Sequence, residues 1–307
     1  MKMPWKISQR AWAGGSAAWL ASLLLVFTGP AAAVGIADTK HNLGNTSTQT
    51  NHVTGTGNSA TTTNEICVFC HTPHGADVTT TNAPPLWNKR LATGAAYTTY
   101  ATLNTPSLDG EVLPVGSISV ACLSCHDGTQ AMDNIINAPG SGGYDVTGGG
   151  PAGRAYTWTA AGTDGVMAAG IANLGANLSN DHPIGIQYCG GGLTATAGAV
   201  TGTCKDGDFV GAAGQPARVR TATINTNTVF WVETGPIDNL KTRTDMPLYT
   251  RTFAAANGGA GPSVECGSCH DPHVSTGQAG PNGQVAGETF LRISNSASAV
   301  CTTCHVK

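Results

Sequence analysis

The chain has 307 residues, length enough for one or two ordinary domains, but only 11% of them are charged, against roughly 25% in a typical soluble domain. Gly accounts for 41 residues, about twice the usual share, and the balance of 15 Lys and Arg against 18 Asp and Glu leaves no basic footprint for nucleic acid. Aromatic residues are 6% and much of the apolar fraction is Ala, so side chains alone build a thin core and something else is expected to fill the interior.

At the N-terminus, Lys2, Lys6 and Arg10 precede an apolar run from about Ala17 to Phe27, then Gly29, Pro30 and Ala31-Ala32-Ala33. This is the tripartite pattern of a secretory signal peptide, with cleavage expected after Ala33. The run is about half of the roughly 20 residues that a membrane-spanning helix needs. No Cys follows the cleavage site to carry a lipid, and no later stretch is long and apolar enough to span a bilayer. The expected organisation is a signal peptide, 1–33, and one exported unit, 34–307, in an oxidising compartment. That unit carries 12 basic and 18 acidic residues, a net charge of −6.

Eight of the ten Cys then fall into four copies of one pattern: Cys67-Val-Phe-Cys70-His71, Cys122-Leu-Ser-Cys125-His126, Cys266-Gly-Ser-Cys269-His270 and Cys301-Thr-Thr-Cys304-His305. C-x-x-C-H is the attachment signature of c-type haem. One helical turn presents two thiols to the two vinyl groups of one porphyrin, and the next residue delivers an imidazole to the iron. Zinc ribbons also use C-x-x-C, but they bring a second pair within about 15–20 residues. Here the first two pairs are much further apart, and each pair is followed directly by His. A disulfide framework has no need of four adjacent His, and thioredoxin-like pairs need a βαβ pattern that is missing here. Four covalent haems c are therefore expected.

Each iron takes one proximal ligand, from His71, His126, His270 and His305, and His41, His52, His74, His182 and His273 remain. His74 and His273 recur in the phrases Cys-His-Thr-Pro-His (70–74) and Cys-His-Asp-Pro-His (269–273). Three residues past a proximal His, the second imidazole cannot fold back over its own porphyrin, but it can reach a neighbouring one. Both are expected as distal ligands. His182, held by Pro183 in Asp181-His182-Pro183, and His41 complete a set of four, and His52 is the spare. Met132, Met167 and Met246 are not needed as axial ligands. All-His ligation leaves no open iron, which favours outer-sphere electron transfer over catalysis, and no catalytic residue is assigned.

Between His126 and Cys266 the chain is rich in Gly, Ala and Thr, and a segment at about 140–262 holds no attachment motif. Thr223 to Glu233 reads as a strand. Cys189 and Cys204, the two Cys outside the motifs, are expected to form a disulfide worth about 3 kcal/mol. Asn45 and Asn177 begin N-x-[ST] sequons, a pattern too frequent by chance to carry weight. The expected fold is a multihaem cytochrome c: mostly coil, short helices at the haem motifs, a small β element, and a core formed by the haems.

Lys40-His41, Ile66 to His74, Pro85-Leu-Trp-Asn88, Asp181 to Gly185 and Cys-His-Asp-Pro-His273 together resemble extracellular tetrahaem c-type cytochromes that polymerise into filaments, the OmcE-like nanowire family. The C-x-x-C-H-x-P-H phrase alone is shared by many multihaem cytochromes, so the set as a whole carries the resemblance. The resemblance implies bis-His haems stacked in a continuous row, with one haem ligated by a His of the adjacent subunit; His41, near the start of the exported unit, is assigned that role. The partners implied are further copies of the chain, redox proteins and extracellular electron acceptors. The alternatives are a monomeric periplasmic shuttle with the same haems, or a reductase of nitrogen or sulfur oxyanions with one iron left open.

Overall fold

Regular structure is sparse around the attachment motifs and dense between the second and the third. The computed structural model describes residues 34–48, 51–54, 62–77, 84–91, 96–140, 142–159, 165–275 and 289–306, so the expected signal peptide lies outside the described residues. Ala33–Lys307 forms one unit. Its elements are β1 (Val34–Gly35), a 3-10 turn (Cys67–Phe69), α1 (Ser117–His126), β2 (Ile186–Gln187), β3 (Leu193–Thr196), β4 (Ala199–Gly202), β5 (Val219–Ile224), β6 (Asn227–Val232), β7 (Met246–Thr252), β8 (Ala260–Val264), α2 (Cys266–Cys269), β9 (Val274–Ser275) and α3 (Ala299–Thr302).

Few helices and much coil match the sequence expectation, but the β component is larger than expected. Five antiparallel strands lie in the order β2-β8-β7-β6-β5, with β3 and β4 as a separate hairpin. The expected single strand from Thr223 to Glu233 is parts of two: β5 and β6 pair from Val219↔Val232 to Ile224↔Asn227 across Asn225 and Thr226. Both of those residues have positive φ, 47° and 67°, the conformation of a type I′ hairpin turn. Without a Gly, that turn carries no strong sequence signal.

The sheet buries Phe230, Val232, Met246 and Leu248 against Tyr188, Leu193 and the Cys189–Cys204 disulfide, whose Cα atoms are 5.4 Å apart. This disulfide is the one expected. A second cluster gathers Val53, Val68, Phe69, Ile135 and Tyr156 around the first attachment motif. A third packs Tyr97, Val115 and Leu178 on Val120 and Leu123 of α1. α1 is buried nearly all round, Ser119 and Ser124 included, so it shows no amphipathic stripe. Cys70 packs on the second cluster and Cys304 on the first, so attachment thiols line the edges of the polypeptide core.

Candidate haem centres

All four motifs fold as a single helical turn. The His71 N–H donates to the Cys67 carbonyl (2.8 Å), His270 to Cys266 (3.1 Å) and His305 to Cys301 (2.9 Å), while Cys122, Cys125 and His126 end α1. Two thiols three residues apart thus share one side of a turn, and all eight are unbridged. Among the described residues no three His, Cys, Asp or Glu converge as a bare metal-ion site.

A backbone clasp fixes three of the proximal His. The Asn88 N–H donates to the Cys70 carbonyl (2.8 Å) and Thr72 to Leu86 (2.8 Å), so that His71 bridges Trp87. In the third motif Arg292 donates to Cys269 (2.9 Å) and Asp271 to Phe290 (2.8 Å), and His270 bridges Leu291. In the fourth, Val210 donates to Cys304 (2.8 Å) and Val306 to Asp208 (2.9 Å), and His305 bridges Phe209. The first two clasps share a strained residue at the same place, Leu86 at φ 57° and Phe290 at φ 54°. There the carbonyl one residue earlier turns onto the ring: His71 Nδ1 donates to Pro85 (3.1 Å) and His270 Nδ1 to Thr289 (2.6 Å).

His126 Nδ1 donates likewise to Ala172 (2.7 Å), His41 Nδ1 to Pro272 (3.0 Å) and His182 Nδ1 to Pro183 (3.0 Å), while His273 Nδ1 faces the Asp271 carboxylate (3.3 Å). A carbonyl can only accept, so these hydrogen bonds fix the tautomer and leave the Nε2 lone pair for a metal. Burial lowers the His41 pKa to about 4. It also lowers His305 and, although part of its surface meets solvent, His270. That direction favours the neutral form a metal requires. His273 moves the other way, raised chiefly by its hydrogen bond to Asp271.

Ring spacing pairs these groups. The centroids of His71 and His273 are 6.2 Å apart with near-parallel planes (11°), and those of His41 and His126 are 6.2 Å apart at 81°. Two imidazoles on opposite sides of one metal, each bonded at about 2 Å, have centroids about 6 Å apart at any mutual rotation. Both spacings fit that arrangement. Phe290 stacks on His41 at 4.0 Å and holds it in place. His182 is the imidazole neighbour that, after burial, lowers His305. Among the described residues no imidazole stands at the 6 Å spacing from His270 or from His305. His74 is exposed, with its carbonyl held by Thr72 (2.9 Å) and Asn137 (2.8 Å). His52 is tied through its backbone to Thr159, and the Met132 thioether accepts from Asn51 (3.2 Å).

The thiols also show the spatial order of the motifs. Burial and then the Cys125 thiol push Cys70 up to about 12. Cys122 donates a hydrogen bond to Cys266, which raises Cys122 and lowers Cys266. Burial raises Cys269, with Cys266 and Cys301 adding to it. Thiols of the first and second, second and third, and third and fourth motifs are thus neighbours. Between the second and third, the buried Glu265 carboxylate accepts from Ser119 of α1 (2.6 Å), Arg251 of β7 (2.7 Å) and Ser263 of β8 (3.1 Å), while Ser119 accepts the Cys266 N–H (3.0 Å). One carboxylate thus fixes two attachment turns against the sheet.

A covalently bound porphyrin fits this donor set: paired thiols on one turn, imidazoles whose Nδ1 atoms are engaged, and two imidazole pairs about 6 Å apart. The buried Trp87 Nε1–H, on a ring edge-on to His71 at 5.7 Å, has no hydrogen-bond partner among the described residues and suits a porphyrin propionate. The clasp segments 289–292 and 208–210 and the Glu265 network escaped sequence reasoning, and Pro85-Leu-Trp-Asn88 is legible there as a phrase but not as a clasp. Their common signal is weak, because a backbone carbonyl can come from any residue type. No protein-family model, curated protein or solved structure matches this chain.

Proposed function

We propose that the chain is a secreted tetrahaem c-type cytochrome that transfers electrons through bis-His haems and assembles with copies of itself into an extracellular filament. The imidazole pairs at the 6 Å spacing, His71 with His273 and His41 with His126, carry this reading. Bound haem supplies one-electron redox chemistry, without a proton or a substrate bond. The protein's part is to fix the centres. Cys67 and Cys70, Cys122 and Cys125, Cys266 and Cys269, and Cys301 and Cys304 anchor them, and carbonyls on Nδ1 set the imidazole planes. His273, reaching from the third motif to His71, ties the first and third motifs together. The spacing supports His41 as a ligand within its own chain, which leaves His74 and His182 to complete His270 and His305.

Polymer formation rests on His270, which like His305 has no imidazole at the 6 Å spacing among the described residues, and on the exposed His74, with Tyr144, 63% exposed, against the neighbouring Gly75. A His from an adjoining copy completes the set in this reading. The same unfilled position also favours a second reading, a reductase with one open iron. The test is electron microscopy and electron paramagnetic resonance (EPR) of the haem-containing fraction from cells. Filaments with every haem low-spin, and one haem turning high-spin on dissociation, are expected. Monodisperse particles with a persistent high-spin haem would replace the filament with the reductase.

A further inference from the structure

The tetrapeptide His270-Asp271-Pro272-His273 serves three motifs at once. His270 is the proximal imidazole of the third. His273 stands 6.2 Å from His71 of the first. The Pro272 carbonyl accepts from Nδ1 of His41 (3.0 Å), which stands 6.2 Å from His126 of the second. Asp271 differs from these in what it offers. His41, His71, His126, His182 and His270 turn Nδ1 to a backbone carbonyl, whereas His273 turns Nδ1 to a carboxylate, Asp271 Oδ1, at 3.3 Å. That oxygen also accepts the His273 N–H (3.0 Å), so one short turn holds the acid against the ring. Arg292 pairs with the other oxygen, Oδ2, at 3.7 Å. In the first motif the matching position is Thr72, whose hydroxyl donates to the His74 carbonyl (2.9 Å). A turn of this kind therefore forms without an acid, and the charge of Asp271 calls for a role in what it faces.

We propose that Asp271 is a positioning residue that acts through the His273 ring and holds the first centre, His71 with His273, at a lower reduction potential than the second, His126 with His41. This rests on the tetrahaem reading. A carboxylate is ionised at neutral pH. With Nε2 on the iron, the ring proton sits on Nδ1 and points at that anion. A charged acceptor draws the proton more strongly than a neutral carbonyl does, which makes the imidazole a stronger electron donor. A more basic ligand favours the oxidised centre, which carries one more positive charge than the reduced one. Reduction adds one electron, no bond forms or breaks, and the proton stays on His273. The neutral Pro272 carbonyl gives the second centre no such bias.

The test is spectroelectrochemical titration of the haem-loaded full protein, wild type against Asp271→Asn and Asp271→Thr. Asn keeps an oxygen for the ring and loses the charge, and Thr is the residue that the first motif uses. The first centre is identified by NMR through Trp87, edge-on to His71 at 5.7 Å. Its midpoint is expected to shift upward in both variants by more than any other, with the EPR of every haem as low-spin as in wild type. No upward shift, or an equal or larger one at another centre, overturns the proposal. A first haem turned high-spin also overturns it, because Asp271 would then only hold His273 in place. Should neither variant fold, exchange NMR of partly reduced wild-type protein decides instead. The centre beside Trp87 must be reduced after the one beside Phe290, which stacks on His41 at 4.0 Å, and the reverse order refutes the assignment. Wild-type protein without covalent haem would instead overturn the tetrahaem reading itself, an outcome separable from four haems with unchanged potentials.

Discussion

His273 and His41 lie on either side of the third attachment turn, yet each faces a proximal His of a different motif. His273→Ala and His41→Ala are therefore each expected to turn one haem of four high-spin, and the double variant two, as counted by EPR. His52→Ala is expected to leave every haem low-spin. If His41→Ala leaves the spectrum unchanged, the intrachain pair with His126 is wrong and the ligand comes from elsewhere. At this scale the sequence was most informative, because covalent attachment needs particular residue types at a fixed spacing. The four C-x-x-C-H motifs could be read directly as a pattern. The pairing could not, because His71 and His273 are joined only by the three-dimensional fold. Nor could the carbonyls on Nδ1, since Pro85, Ala172 and Thr289 share no side-chain chemistry.

The loop between β6 and β7 is organised by one carboxylate. Asp245 accepts from the Thr234 N–H (2.9 Å), the Thr242 N–H (2.6 Å) and the Thr242 hydroxyl (2.9 Å). Burial alone raises its pKa, but these hydrogen bonds outweigh burial and hold it below the ordinary value. A depressed carboxylate stabilises the fold above its unfolded pKa of about 3.9, and that stability is lost as pH falls towards the folded value. Thermal melts of wild type should therefore fall off below about pH 4. Asp245→Asn should have a lower melting temperature at neutral pH and a shallower acid limb. An unchanged acid limb would assign the loss to other groups. The sheet that this loop joins was hard to see in sequence. Its strands hold several Thr, and burial is concentrated at one end of β5, β6 and β7, so strict alternation fails along their length. The turn at Asn225-Thr226 lacks the Gly that would have marked it.

Across the whole molecule, the sheet is coupled to the last attachment motif. The disulfide Cys189–Cys204 packs in the same cluster as Cys304, and the stretch just after it, Asp208 to Val210, is the clasp of His305. Replacing both Cys by Ala is expected to lower stability by about 3 kcal/mol. Denaturant titration should show the haem signal of the fourth motif changing before the other three. If all four change together at the wild-type midpoint, the sheet does not support that centre. The expectation of a cofactor-filled core was drawn from thin composition. The three apolar clusters show how the polypeptide organises what apolar surface it has, each against an attachment turn or the sheet.

The clasps also differ in when they can close. A chain emerges N-terminus first. His71 must wait for Pro85 to Asn88, and His270 for residues 289–292, before its ring is oriented. Asp208 to Val210 have already been made when His305 appears. The fourth motif can therefore adopt its final geometry as soon as it is synthesised, while the first and third pass through an interval with thiols and imidazole unrestrained. Maturation machinery that needs a loose C-x-x-C-H segment thus has a longer window at the first and third sites than at the fourth.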